Sequence, residues 1–231
     1  MNVTLQDFSV STKSEESKKL LSDINFSFDG AKSYLITGKS GNGKTLLSRS
    51  VAGLLSFHLK TNGYRILTGI SESEILYAPQ FANLFFDENA SIEFTKNLFR
   101  SNSILESNEY ENVFLFYLEK TGLLELSSNM KIPVSTLSMG MKYRLMLVFL
   151  FLQNPKFLII DEPTASLDVL TSKQIIQLLF DYKTETNCGL MVVSHENQYF
   201  NGYLVELLKI ENGYLVGKQK TETICQLPEF Q

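Results

Sequence analysis

Cysteine is scarce in this chain of 231 residues: Cys188 and Cys225 are its only two, and they stand far apart. That spacing excludes a disulfide framework and a thiolate metal cluster, and it suits a reducing compartment. Long Lys/Arg blocks are missing as well, and the formal net charge is −4. Binding along a phosphate backbone needs a basic face, so nucleic acid is not expected as the main partner. The longest apolar run, Leu145 to Leu152, is far short of the ~20 residues that cross a bilayer and reads as a buried helix. The start, Met1-Asn2-Val3-Thr4-Leu5-Gln6-Asp7, lacks the basic residues and apolar stretch of a signal peptide, so nothing in it directs the chain out of the cytosol. Apolar residues themselves are plentiful, at 44%. They suffice for a full core, most simply one domain over residues 1–231 with a subdomain inserted.

The most informative stretch is Gly38-Lys39-Ser40-Gly41-Asn42-Gly43-Lys44-Thr45. The apolar run Tyr34 to Thr37 before it reads as a buried strand, and Leu46, Leu47, Val51, Leu54 and Leu55 after it fall on one side of a helix. This spacing lets backbone N–H groups turn inward around a di- or triphosphate, with glycines where a Cβ would obstruct the approach. Lys44 would meet the β- and γ-phosphates, and Thr45 would offer its hydroxyl to Mg²⁺ at a helix N-terminus that itself favours anions.

Val3 to Val10 and Ile24 to Phe28 alternate apolar and polar residues as strands do, and Asn62-Gly63 marks a turn before the strands Tyr64 to Leu67 and Ile75 to Ala78. From Phe81 the period becomes helical, with Ile92, Phe94, Leu98 and Phe99 and then Val113, Phe114, Tyr117 and Leu118. A mainly helical insertion over about residues 81–150 is therefore expected. Its last helix runs from Leu137 to Leu152 and is stopped by Asn154-Pro155. Two buried strands follow. Phe157 to Ile160 delivers Asp161-Glu162, and Gly189 to Val193 delivers Ser194-His195, with the amphipathic helix Thr171 to Tyr182 between them. Asn212-Gly213 closes a final hairpin.

Three strand ends thus carry polar groups, and in an open α/β sheet the carboxyl ends of strands are where ligands bind. Phosphoryl transfer to water needs neutralised phosphates, a positioned metal and an oriented nucleophile. Lys44 and the loop amides answer the first need. Thr45 and Asp161 have the hard oxygens that suit Mg²⁺, and Glu162 points away from Asp161 and is free to act as a base. Gln80 and His195 sit just past buried strands, within reach of the water or the γ-phosphate, although either alone also reads as an ordinary loop residue.

Taken together, the phosphate loop, Gln80, Leu137-Ser138-Met139-Gly140-Met141, Leu158-Ile159-Ile160-Asp161-Glu162-Pro163-Thr164, Ser166-Leu167-Asp168 and Ser194-His195 occur in the order and rough spacing of an ABC-transporter ATP-binding cassette. The chain resembles that family over nearly its whole length. The resemblance implies an α/β P-loop NTPase fold: a parallel-sheet ATPase core, an antiparallel β subdomain and an inserted helical subdomain. It implies ATP and Mg²⁺ as cofactors, and two cassettes closing head to tail over ATP. Glu162 would be the catalytic base, His195 a switch on the γ-phosphate, Gln80 a sensor of Mg²⁺ and of the membrane partner, and Asp168 a contact across the dimer. Ser138 and the Gly140 amide would meet the ATP held by the second cassette.

Two features depart from the family pattern. Met139 and Met141 replace residues of the usual Leu-Ser-Gly-Gly-Gln signature, and Thr12 aligns where an aromatic usually stacks on adenine, a role for which Phe8 or a partner's residue is the substitute. Both suggest one half of a heterodimeric pair with unequal sites. The stretch Asp161 to Val169, followed by Gln174 to Leu179, looks most like the cassettes of dipeptide, oligopeptide and nickel importers, although much of that group's longer C-terminal region is lacking. On this reading the chain sits peripherally on the cytoplasmic face of a membrane with permease subunits, a non-identical second cassette and, in an importer, an extracellular substrate-binding protein. The rivals are a non-transport ABC ATPase and a regulatory nucleotide-binding half with little hydrolysis.

Overall fold

The computed structural model describes residues 1–13, 17–101, 106–165 and 167–221, so that Cys225 and Ser166 lie outside the described residues. In chain order the strands are β1 (Asn2–Thr12), β2 (Lys19–Asp29), β3 (Ser33–Thr37), β4 (Leu59–Thr68), β5 (Ile75–Ala78), β6 (Phe157–Asp161), β7 (Gly189–Val193), β8 (Val205–Glu211) and β9 (Tyr214–Thr221). The helices are α1 (Lys44–Ala52), α2 (Ile92–Ser101), α3 (Ser107–Lys120), α4 (Met139–Leu152) and α5 (Val169–Thr186). Two compact units result. The first comprises Met1–Tyr77, Lys156–Pro163 and the chain from Asn187 onward, and the second Ala78–Pro155 and Thr164–Thr186.

Within the first unit, the alternating start of the chain builds an antiparallel sheet in the order β2-β1-β4. Val3 and Leu5, and then Phe8 and Val10, turn into the core two residues apart on either side of a break at Gln6-Asp7, as the two-residue period of a strand requires. One expectation fails here: Asn62-Gly63 is no turn, because β4 runs straight through it. Pairing of Gln6 with Tyr64 and of Ser9 with Asn62 leaves Asp7 and Phe8 opposite Gly63 alone, which makes a β-bulge. Asp7 (φ 49°) and Gly63 (φ 82°) supply the left-handed backbone. Asn-Gly signalled that conformation correctly, but not its setting.

The second sheet has the order β5-β6-β7-β3-β8-β9. β3, β6 and β7 are buried at every position, which is why their sequences read as continuous apolar runs. β7 lies between β3 and β6 and is parallel to both. β8 runs parallel to β3, and β9 returns antiparallel after Asn212-Gly213. Both sheets share one core, in which Val3, Leu5, Tyr34, Ile36, Leu47, Ile159 and Met191 pack together. α1 is shorter than its sequence promised. Gly53 N–H bonds Ser50 O and Leu54 N–H bonds Arg49 O, a Schellman-type end, and Leu54 is left 56% exposed rather than extending the apolar face.

The second unit is helical. α4 begins after Ser138, whose Oγ accepts from Met141 N–H at 3.2 Å, and Leu145 to Leu152 is buried along its whole length. Phe149 sits at the centre of an aromatic cluster, stacked on Phe99 at 4.8 Å and Phe114 at 5.9 Å and edge-on to Phe86 at 6.0 Å. Ile92, Phe94 and Leu98 all lie on α2 but do not share one covered face. In the structure Ile92 and Thr95 are buried, while Phe94 and Leu98 are 60% and 54% exposed.

Candidate functional site

The strand order brings the chemistry together. β3 leads into the loop 38–43, and β6 and β7, its near neighbours in the sheet, end in Asp161-Glu162 and Ser194-His195. All of these belong to the first unit. The loop is fastened to the β8–β9 hairpin: Asn42 Nδ2 donates to Ile210 O at 3.2 Å, and Gly213 N–H donates to Asn42 O at 3.2 Å. Lys44, the first residue of α1, is 8% exposed. Its Nζ donates to Gly38 O at 2.9 Å and lies 3.9 Å from Glu162 Oε1, so the ammonium folds back across the loop it serves.

Thr45 and Asp161, 116 residues apart in sequence, meet with Oγ1 3.3 Å from Oδ1. Asp161 is only 2% exposed. A hydroxyl and a carboxylate side by side are the hard-oxygen pair that Mg²⁺ accepts, and so small a set fits an ion that takes its remaining ligands from phosphate and water. The other Asp161 oxygen is engaged too, because Tyr77 OH donates to Oδ2 at 2.8 Å. Burial pushes the Tyr77 phenol up to about 12, so it is protonated and donates at neutral pH. Arg49 Nε approaches Tyr77 OH at 3.4 Å. The sequence reading missed both residues. The available signal is a tyrosine in a half-buried strand, whose hydroxyl needs a polar partner where it is covered.

Glu162 turns away from Asp161. Its φ is 48°, its N–H bonds Val193 O at 2.9 Å, and its carboxylate reaches His195 Nδ1 at 2.9 Å through Oε2. The glutamate side chain is 11% exposed and that of the histidine 63%. Glu162 therefore stands between Lys44 and His195, with its carboxylate partly open to water.

Gln80, Ser138, Gly140 and Asp168 lie in the second unit. Gln80 follows β5 by two residues and is half-buried. Ser138 is exposed, and Gly140 backs onto Leu167: a Cβ built there would come within 3.1 Å of that side chain. Met139 is 40% exposed. Asp168 caps α5, with Oδ1 accepting from Leu170 and Thr171 N–H at 3.0 Å each and Oδ2 accepting from Thr171 Oγ1 at 2.6 Å. The hydrogen bonds from Thr171 hold its carboxyl below the usual range. Thr12 ends β1, where its Oγ1 accepts from Lys18 N–H at 3.0 Å. Phe8 is only 4% exposed and part of the core, so it is not the aromatic that replaces the one missing at Thr12.

A family model described as ABC transporter matches residues 21–165. The ATP-binding protein CntD of the metal-staphylopine import system of Staphylococcus aureus is 26% identical over 226 residues, covering 91% of this chain and 83% of that protein. The oligopeptide transport ATP-binding protein OppD of Escherichia coli is 28% identical over 191 residues, 76% of this chain and 56% of that protein. Among solved structures, an ATP-binding cassette dimer in a post-hydrolysis state with ADP and Pi superposes with a TM-score of 0.76 at 21% identity, covering 94% of this chain and 98% of that one.

Proposed function

Because this chain belongs to the ABC transporter family, we propose that it is the ATP-binding and hydrolysing subunit of a transporter that imports peptides or metal complexes. The observation that carries this reading is the set Lys44, Thr45, Asp161, Glu162 and His195, brought to the ends of three neighbouring parallel strands within one unit. The import class draws on relatives such as the metal-staphylopine import protein CntD and the oligopeptide transport protein OppD. A membrane-peripheral place fits the finding that no helix among the described residues is long and apolar enough to cross a membrane.

Lys44 would exchange its bond to Gly38 O for β- and γ-phosphate oxygens, while the loop amides and the α1 N-terminus take up the remaining charge. Thr45 and Asp161 would hold Mg²⁺, and the bound ion would supply charge neutralisation across the phosphates. Glu162 would accept the proton of the attacking water on Oε1, while His195, bonded to Oε2, would steady that carboxylate and act as the switch on the γ-phosphate. In the second unit, Ser138 and the Gly140 amide would face ATP held by a second cassette.

That second cassette is read as non-identical. Met139 projects its side chain at the N-terminus of α4, where the family pattern has glycine, so the site built on the other cassette's phosphate loop is the weaker of two. The exposed apolar residues Phe81, Leu84, Phe94 and Leu98 are the surface offered to the permeases. The experiment is purification of the tagged chain from its own cell in mild detergent, with identification of partners by mass spectrometry and an ATPase assay of the complex. Permeases, a second cassette and turnover abolished by Glu162→Gln are expected. Recovery of soluble partners alone, or turnover unchanged by Glu162→Gln, would refute the reading.

A further inference from the structure

We propose that Tyr77, backed by Arg49, is a positioning residue that presets the Asp161 carboxylate for the metal–nucleotide complex. The inference rests on the reading of this site as a Mg²⁺·ATP site. Its geometric basis is a division of labour on one side chain: Asp161 Oδ1 lies 3.3 Å from Thr45 Oγ1, and Oδ2 accepts from Tyr77 OH at 2.8 Å. Rotation of the carboxylate about its last bond would break both contacts at once. Asp161 leaves the end of β6 with that rotation otherwise soft, because terminal carboxylate torsions have broad minima.

The chemistry of the donor matters. A lysine or arginine bonded directly to Oδ2 would also hold the carboxylate, but its charge would oppose a divalent cation at the same group. The phenol is a neutral donor, so it orients without cancelling the anion. Arg49 contributes from behind, with Nε 3.4 Å from the phenol oxygen and its guanidinium carbon 5.9 Å from the ring centroid. The cation polarises the O–H that Asp161 receives, yet the phenol separates it from the carboxylate. Partners that hold a metal ligand in this way commonly change metal affinity 10–100-fold when removed. α1 carries Lys44, Thr45 and Arg49, so one helix supplies the phosphate-facing cation, the metal-facing hydroxyl and the support for the carboxylate's orienting donor.

The test compares the full chain with Tyr77→Phe, which keeps the ring and removes only the hydroxyl. Mn²⁺ is titrated into protein saturated with a non-hydrolysable ATP analogue, and free Mn²⁺ is read by electron paramagnetic resonance. The apparent Kd for Mn²⁺ is expected to rise about tenfold in Tyr77→Phe, equivalent to about 1.4 kcal/mol. Analogue binding in EDTA should stay within about twofold, since no metal ligand is then in use. Arg49→Ala should move the Mn²⁺ constant in the same direction by about two- to threefold, its contact with the phenol being the longer one. An unchanged Mn²⁺ constant in Tyr77→Phe would overturn the proposal, as would equal losses with and without metal, which mark a purely structural hydroxyl. Failure of the unmodified chain to bind the analogue with Mn²⁺ would overturn the nucleotide reading itself, and the proposal with it.

Discussion

Replacing single glycines of the phosphate loop with alanine should separate folding from binding. Gly38 has φ 143°, and a Cβ added there would fall 2.3 Å from the backbone oxygen of Ile210. Neither atom belongs to a side chain that can swing aside, so β3 and β8 would have to separate locally. A non-glycine residue in such a backbone region costs about 1–3 kcal/mol before any clash. We therefore expect Gly38→Ala to lose about 3 kcal/mol or more, which lowers the Tm of a chain this size by roughly 6–12 °C. Gly41 is the contrast. Its φ is 81°, but nothing lies within 4 Å of the added Cβ, so Gly41→Ala should cost about 1 kcal/mol and 2–4 °C. On the proposed reading a phosphate would occupy the open space at Gly41, where the methyl group would intrude. Thermal melts followed by fluorescence, with calorimetric titration of ATP on the same samples, give both numbers. Gly41→Ala should melt nearly as the parent does while its ATP affinity falls at least about tenfold, or 1.4 kcal/mol. Parent-like ATP binding by Gly41→Ala would refute the cradle, and a parent-like melt of Gly38→Ala would refute the close approach of β3 and β8.

Further outcomes follow from other parts of the molecule. Glu162→Gln should lower ATP turnover of the assembled complex by about 10²–10⁴-fold, the range of a lost general base, with ATP binding retained in a filter or calorimetric assay. Phe149→Ala empties the centre of the aromatic cluster in the second unit and should cost about 3–5 kcal/mol, seen as a lower urea midpoint. Glu74 is held down to about 2, first by its bond to Lys156 and then by Ser71. A depressed carboxyl contributes stability that is present above its unfolded value and is lost as pH falls through its folded value. The urea-midpoint gap between the parent and Glu74→Gln should thus be constant above about pH 5 and close between about pH 4.5 and 2; a gap that widened on acidification would contradict the ion pair.

Much of the site is local in sequence and legible there. On the proposed reading the loop 38–45 acts through its backbone amides, so its function is carried by contiguous residues. β6 and β7 are buried on both faces, and their apolar runs announce both the strands and the polar residues they deliver, Asp161, Glu162 and His195. Other features depend on what stands across from a residue. Asn62-Gly63 signals a left-handed backbone whether it closes a hairpin or faces a bulge, and only the pairing of β4 with β1 chooses the bulge. Phe94 and Leu98 have the spacing of buried residues, but the face they lie on is left uncovered.

Tyr77 shows the boundary most clearly. In sequence it is one residue of a short apolar strand, 84 positions from the aspartate it holds. By itself the sequence determined the phosphate loop, the order of strands and helices, and the carboxylates at the strand ends, because backbone conformation and burial follow nearest-neighbour chemistry and periodicity. The tertiary structure alone decided that Thr45, Tyr77 and Asp161 share one point, that Glu162 lies between Lys44 and His195, and that Phe8 is sealed in the core. Hydrogen bonds reach only about 3 Å, and which side chains come that close is set by how the strands are ordered in the sheet.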